Sequence, residues 1–336
     1  MLNKISKKDI LDYKTNDLMT KHVITLQPQD NLLKAENMMS RYRIKKIVVV
    51  DDENKKHPVG ILTIKDILKF LISDKTDREL DEILISEAMT KNLITTNKEN
   101  SVIDCAKTLD KNNNISSLIV IEKEEEDSEQ QEQQESSANK KMLLSGIITS
   151  TDFTRFFSEN CIGLTTVKDY MSNSVFTISI NEKVSMAAEL LIEKNVSRLV
   201  VTAATNSHPD ELLGILSESD ISKITTGVKS RTSRSVYEYM QAIFASSKSN
   251  KLDDSIEIAF IRILDIFTPN PTTIEKDADL AIAAKVMIKN GISGIPVTES
   301  SSSIEGQDKE KKMTKNQQPI GIISKTDIVK ALTDFE

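Results

Sequence analysis

One seven-residue phrase recurs four times along the chain: Gly60-Ile-Leu-Thr63-Ile-Lys-Asp66, Gly146-Ile-Ile-Thr149-Ser-Thr-Asp152, Gly214-Ile-Leu-Ser217-Glu-Ser-Asp220 and Gly321-Ile-Ile-Ser324-Lys-Thr-Asp327. An apolar run into a hydroxyl residue, with a carboxylate three positions later, reads as strand, turn and helix start. The chain holds only nine glycines, and four of them open this phrase. Repetition of this kind sets the architecture before any single residue is interpreted, because each copy must be one supersecondary unit.

Each phrase closes a longer unit. The units open on Leu18-Met19-Thr20, Ala88-Met89-Thr90, Tyr170-Met171-Ser172 and Ile266-Phe267-Thr268. Five positions after each hydroxyl residue comes a threonine: Thr25, Thr95, Thr177 and Thr273. Next stand apolar residues at i, i+3 and i+7, namely Leu32/Ala35/Met39, Val102/Cys105/Leu109, Val184/Ala187/Leu191 and Leu280/Ala283/Met287. That spacing is one helix face packed on a sheet. Short, mostly β-branched runs follow at 44–50, 115–121, 196–202 and 292–298, as strands require. The fixed offsets predict an α/β (α+β) fold of four β-α-β-β-α copies.

A chain of 336 residues can bury a sizeable core, and two domains of about 150 residues each are expected. The copies divide it into a lead at 1–16, copy one at 17–79, copy two at 80–160, copy three at 161–225 and copy four at 263–336. Copy two carries an insert at 122–142 rich in Glu, Gln and Ser, and copy four one at 299–319 rich in Ser and Lys. Both have the composition of mobile polar loops, and a long hairpin loop adds little closure entropy. Residues 226–262 hold two apolar-periodic segments, 236–244 and 256–264. They read as a helical excursion whose apolar face either packs on the repeats or meets a partner.

The formal net charge of −7 comes from one place: residues 122–135 hold eight acids against one lysine. No global basic field therefore argues for nucleic acid. No apolar run nears the roughly 18 residues of a membrane span, and the first ten residues lack the apolar stretch of a secretory signal. Cys105 and Cys161 stand far apart, so a reducing, cytoplasmic setting without disulfides is expected. Cys105, on an apolar helix face, reads as a small core residue. The three histidines, His22, His57 and His208, show no metal-ligand spacing. Neither a Walker loop, a dinucleotide-binding glycine pattern nor a nucleophile elbow occurs. The expectation is a non-enzyme with no catalytic residue, metal or cofactor.

A β-α-β-β-α unit ending in Gly-h-h-Ser/Thr-x-x-Asp (h, apolar) resembles the CBS domain, named for cystathionine β-synthase. Four such units resemble two tandem pairs, each pair a Bateman module, and the resemblance spans residues 17–332. It implies clefts between paired repeats that bind adenosine-containing ligands such as AMP, ADP, ATP or S-adenosylmethionine. The motif's Asp would accept the ribose hydroxyls, and its Ser/Thr would lie near phosphate. The residues concerned are Thr63, Asp66, Thr149, Asp152, Ser217, Asp220, Ser324 and Asp327. The chemistry is apt, since a carboxylate accepts two O–H donors and a helix N-terminus presents N–H groups to phosphate. The same Ser/Thr-x-x-Asp is also a capping arrangement that needs no ligand, and fourfold repetition does not separate the two.

The resemblance further implies phosphate contacts from basic residues at the second position of the middle strand. Lys46, its neighbour Lys45, and Arg198 are the candidates; copies two and four carry Ser117 and Gly294 there. Either phosphate is not bound at those copies or the neighbouring repeat supplies the charge. Residues Ile24, Thr25, Ile94, Thr95, Phe176, Thr177, Thr272 and Thr273 would flank the adenine, or serve only as sheet core. Two functions fit. One is a sensor of adenosine ligands that signals to an unknown protein effector in trans, its modules facing each other within one chain as a disc or pairing between chains as a homodimer. The other is an interaction scaffold that docks a partner through its polar inserts without nucleotide.

Overall fold

A computed structural model describes residues 10–51, 56–74, 78–112, 115–123, 142–203, 212–221, 261–299 and 319–335. The acidic insert, the 226–262 excursion up to residue 260 and the body of the 299–319 insert lie outside the described residues. The chain divides into two compact units, built around Ser6–Phe153 and Thr154–Asp334, each holding two copies.

All four copies share one plan. Copy one comprises α1 (Thr15–Leu18), β1 (Thr25–Leu26), α2 (Leu32–Tyr42), β2 (Lys46–Val50), β3 (Pro58–Thr63) and α3 (Ile64–Ser73). Copy two comprises α4 (Ile85–Ala88), β4 (Thr95–Thr96), α5 (Val102–Lys111), β5 (Ser117–Lys123), β6 (Met142–Thr149) and α6 (Ser150–Asn160). In copy three a 3-10 turn (Val167–Asp169) precedes β7 (Thr177–Ser179), α7 (Val184–Glu193), β8 (Arg198–Thr202) and β9 (Leu212–Ser217), with helix resuming at 218–221. Copy four has a 3-10 turn (Ile263–Asp265), β10 (Thr268–Pro269), β11 (Ile274–Glu275), α8 (Leu280–Asn290), β12 (Gly294–Thr298), β13 (Pro319–Ser324) and α9 (Lys325–Thr333). The short helical turn ahead of each copy was not expected from the spacing. Each middle strand starts two residues later than its apolar run.

In every copy the first strand runs parallel to the middle strand, which pairs antiparallel with the closing strand. A register shift falls in the same place each time, at Val49/Val50, Val120/Ile121, Val201/Thr202 and Val297/Thr298. One extra residue, just before the phrase glycine, takes up the slack as a bulge. The helix faces read from the sequence are all buried: Leu32, Ala35 and Met39; Val102, Cys105 and Leu109; Val184, Ala187 and Leu191; Leu280, Ala283 and Met287. Each large side chain so buried contributes about 1.5–3 kcal/mol. Each middle strand holds an unbroken buried run of four or five residues, the pattern of a strand covered on both faces. In the first unit Val48, Val50, Ile119 and Ile147, from both sheets, form one cluster.

The opening phrases exchange between the two copies of a pair. Thr20 bridges Ile147 and Thr90 bridges Ile61 in the first unit. In the second, Ser172 bridges Ile322 and β10 pairs antiparallel with β9. This exchange explains the glycines. A Cβ on Gly60 would lie 2.5 Å from Met89 Sδ, and one on Gly146 2.9 Å from both Met19 Sδ and the Thr20 carbonyl. Gly321 meets the Ser172 carbonyl at 2.8 Å and Met171 Sδ at 3.0 Å, and at Gly214 the obstacles are the Phe267 ring and the Thr268 carbonyl. The Met/Phe of one copy's opening phrase therefore requires the glycine of its mate's closing phrase.

Candidate functional site

The closing strands deliver Thr63, Thr149, Ser217 and Ser324 to strand-to-helix corners. Thr63 and Ser324 hold extended backbone there, as an N-cap does. In all four copies the aspartate three residues on turns one oxygen back to the corner. Asp66 Oδ2 accepts from Thr63 N at 2.9 Å and Oγ1 at 2.6 Å. Asp152 Oδ2 accepts from Thr149 N at 2.8 Å and Oγ1 at 2.7 Å. Asp220 Oδ2 accepts from Ser217 N at 2.9 Å and Oγ at 2.7 Å, and Asp327 Oδ2 from Ser324 N and Oγ, both at 2.7 Å. The aspartate half of the capping arrangement is thus formed in every copy, and in copies one and two the hydroxyl also accepts a helix N–H, from Asp66 and Thr151, both at 3.2 Å, a cap worth about 1 kcal/mol. It engages Oδ2 only, and a carboxylate offers roughly four acceptor positions. Asp66 Oδ1 accepts from Thr90 Oγ1 at 3.3 Å, so this corner meets the opening phrase of the paired copy.

A second repeated contact fixes what stands opposite each corner. The first helical N–H donates to the carbonyl just before the middle strand: Ile64 to Lys45 at 3.2 Å, Ser150 to Ser116 at 3.0 Å, Glu218 to Ser197 at 3.3 Å and Lys325 to Ser293 at 3.1 Å. The next residue of that strand then pairs with the corner hydroxyl residue, as Lys46 with Thr63, Ser117 with Thr149, Arg198 with Ser217 and Gly294 with Ser324. From this position the two basic side chains cross to the other copy of their pair. Lys46 Nζ donates to Ser116 O at 3.1 Å and Ser116 Oγ at 2.8 Å, and Ser116 O is the carbonyl that takes the first N–H of α6. Arg198 lays its guanidinium over Gly294, where any Cβ would overlap it. Burial brings the Arg198 pKa down to about 10, against the charges of Glu218 and Asp327, which favour the cation. Burial also raises Asp327 above the usual carboxylate value, opposed by its Ser324 hydrogen bonds and by Arg198. Lys45 is exposed.

Among the adenine-flanking candidates, Thr25, Thr95 and Thr177 pair with Val48, Ile119 and Val200. The Ile94 and Phe176 carbonyls accept from Ile119 and Val200 at 3.1 and 2.9 Å. Thr273 falls just before β11, because Pro296 has no N–H at the matching rung. Ile24, Ile94 and Phe176 are half-buried and Thr272 is exposed, while the neighbouring Val23 and Leu93 pack on the inter-sheet cluster. Thr90, Ser116 and Glu218 were not singled out from the sequence. The recurring hydroxyl of the opening phrase and the alternation of basic and small residues at the second strand position were their only signals.

Elsewhere, Cys105 is a core residue whose Sγ lies 3.1 Å from Thr15 Oγ1 and 3.2 Å from Thr96 Oγ1. Burial, with Asp279 nearby, pushes the Cys161 thiol up to about 12. His57 is buried with Nδ1 3.2 Å from Met142 O, His22 is exposed, and His208 lies outside the described residues. Among the described residues no three His, Cys, Asp or Glu side chains group as metal ligands, and no helix is long and apolar enough to cross a membrane.

Four β-α-β-β-α repeats, joined two by two through exchanged opening phrases, define a tandem-pair repeat protein. The CBS domain family matches residues 15–73, 85–129, 167–226 and 263–334, and the chain belongs to that family, its repeats forming two Bateman modules. Protein MJ1225 of Methanocaldococcus jannaschii is 24% identical over 306 residues, covering 88% of this chain and 95% of the relative. Its crystal structure, titled as a proposed archaeal homolog of g-AMPK, superposes with a TM-score of 0.69 at 21% identity, covering 95% and 99% of the two chains. Protein MJ1404 of the same organism is 22% identical over 329 residues, and the chain covers 63% of its length. A structure from Pyrococcus horikoshii matches with a TM-score of 0.56 at 15% identity over 95% of this chain and 100% of that one.

Proposed function

We propose that this protein is a non-catalytic regulator, cytoplasmic in setting, whose paired repeats bind adenosine-containing ligands at the four Ser/Thr-x-x-Asp corners and report their occupancy to a protein partner in trans. The observation that carries the reading is that Oδ2 of the aspartate serves the corner in all four copies. A carboxylate has roughly four acceptor positions, so a ribose hydroxyl can be taken without uncapping the helix and a structural and a binding role coexist. The likeness to MJ1225, described as an archaeal homolog of g-AMPK, agrees with a regulatory role. A ligand becomes a signal only if it binds one arrangement of the protein better than another.

The test is calorimetry and thermal unfolding with AMP, ADP, ATP and S-adenosylmethionine. A ligand at a hundred times its Kd should stabilise the fold by about 2.7 kcal/mol. Asp66→Asn and Asp220→Asn keep a capping oxygen but lose the charge-assisted contact, and should weaken binding about ten- to a hundredfold with little change in the unliganded melting temperature. No heat and no stabilisation with any of the four at millimolar concentration would sink the reading. A scaffold reading is favoured by one finding, that every aspartate is already used by the corner of its own helix; it predicts partner capture unaffected by replacing all four aspartates.

A further inference from the structure

We infer that the two clefts of the second module are of opposite kind: the one closed by Asp327 takes adenosine compounds bearing a 5′-phosphate, and the one closed by Asp220 takes adenosine compounds without one. The inference rests on the adenosine reading above and adds which cleft accepts a negative charge.

Two independent positions separate the corners, and both act in the same direction. At the first helical position, where backbone N–H groups already favour an anion, copy four has Lys325 and copy three has Glu218. At the second position of the middle strand, copy three has Arg198 and copy four has Gly294. Because the long side chain crosses the pair, Arg198 does not serve its own copy alone. It lies over Gly294, which pairs directly with Ser324 at the Asp327 corner. The Asp327 cleft therefore combines a guanidinium, a lysine at the helix start and one carboxylate. The Asp220 cleft receives no cation from Gly294 and adds Glu218 to its aspartate. Glu218 acts on Arg198 more strongly than Asp327 does, so on the Asp220 side the guanidinium charge is already offset by a carboxylate. Guanidinium suits phosphate, offering a planar fork of donors, whereas a phosphate at the Asp220 corner would face two carboxylates. The first module shows no such contrast, since Lys46 reaches the copy-two corner while Lys65 stands in the helix start of copy one.

AMP and adenosine, identical but for the phosphate, are the probes, titrated calorimetrically into the full chain. Asp327→Asn should remove an AMP site, and Asp220→Asn should remove an adenosine site while leaving AMP stoichiometry unchanged. Arg198→Gln should weaken AMP at the Asp327 cleft about ten- to a hundredfold with adenosine binding within about threefold of wild type, and Arg198→Lys should recover part of the loss. Glu218→Lys should create an additional AMP site. Melting temperatures of the variants separate lost binding from lost folding, and the Glu218→Lys gain needs no such allowance. Equal loss of AMP sites from Asp220→Asn and Asp327→Asn, or equal weakening of AMP and adenosine by Arg198→Gln, would overturn the inference and leave the adenosine reading intact. If neither probe binds the wild type, both fall together.

Discussion

Lys46 and Arg198 occupy the same position in the two modules and meet different surroundings. Lys46 ends on the neutral oxygens of Ser116; Arg198 ends over Gly294 and within the fields of Glu218 and Asp327. The second position of the facing middle strand is Ser117 in the first module and Gly294 in the second, where a Cβ would overlap the Arg198 guanidinium. Hydrogen bonds to a charged group contribute about 1.5–3 kcal/mol, and those of Lys46 are exposed. Arg198 already balances carboxylates, and a ligand must compete with Glu218 for it. One fold thus sets the cation of one module on a serine and that of the other among carboxylates.

The largest effect that would sharpen this contrast lies in the exchanged opening phrases. Gly214→Ala drives a methyl into the Phe267 ring and the Thr268 carbonyl, neither of which yields without moving backbone. It should cost about 3 kcal/mol. Gly60→Ala meets chiefly the flexible end of Met89, 2.5 Å away, with the Thr90 carbonyl at 3.3 Å. Methionine re-packs readily, so this change should cost about 1 kcal/mol. Urea unfolding measures both, and equal costs would show that the modules tolerate crowding alike. A smaller difference should separate Arg198→Met from Lys46→Met. The first strands two carboxylates and should cost about 1–3 kcal/mol after allowance for the partial exposure of Arg198. The second removes contacts to neutral, exposed oxygens and should cost less than about 1 kcal/mol. If Lys46→Met proved the costlier, the contrast drawn here would be reversed.

Much of the fold was legible because repetition tests itself. The triads beginning at Leu32, Val102, Val184 and Leu280 all proved buried, since a helix face against a sheet must carry the same period each time. The corners were legible for the same reason, and of the two roles the sequence offered Asp66 and its counterparts the structure displays the capping contacts. What it left open is which copy a side chain serves. Lys46 stood as a phosphate candidate for its own copy or for the neighbouring one, and the pairing of copies sends its ammonium to Ser116 of copy two. The glycines were visible as a pattern but not as a cause, because the Met or Phe that forbids a Cβ belongs to another repeat. Local spacing reports elements; it carries no information about contacts between repeats.

The smallest predicted effect concerns pH, and it has opposite signs in the two modules. In the first, Glu87 accepts from Leu84 N at 3.0 Å and pairs with Arg78 at 2.9 Å. The backbone hydrogen bond, followed by Arg78, holds its pKa below the ordinary 4.5. A carboxyl lowered on folding contributes stability above its unfolded value, and that contribution is lost as pH falls through the folded one. In the second module burial raises Asp327 above the ordinary 3.8. Its ionised form is the less favourable in the folded state, so this penalty applies above the raised value and fades as pH falls from there toward 3.8. Relative to Glu87→Gln, wild type should lose its advantage on acidification; relative to Asp327→Asn, wild type should gain. Melting temperatures of the two variants and wild type from pH 7 down to 4 measure both slopes. Parallel slopes would mean that Asp327 is as well solvated as Glu87. The second module would then lack the desolvated carboxylate that sets its Asp327 corner apart.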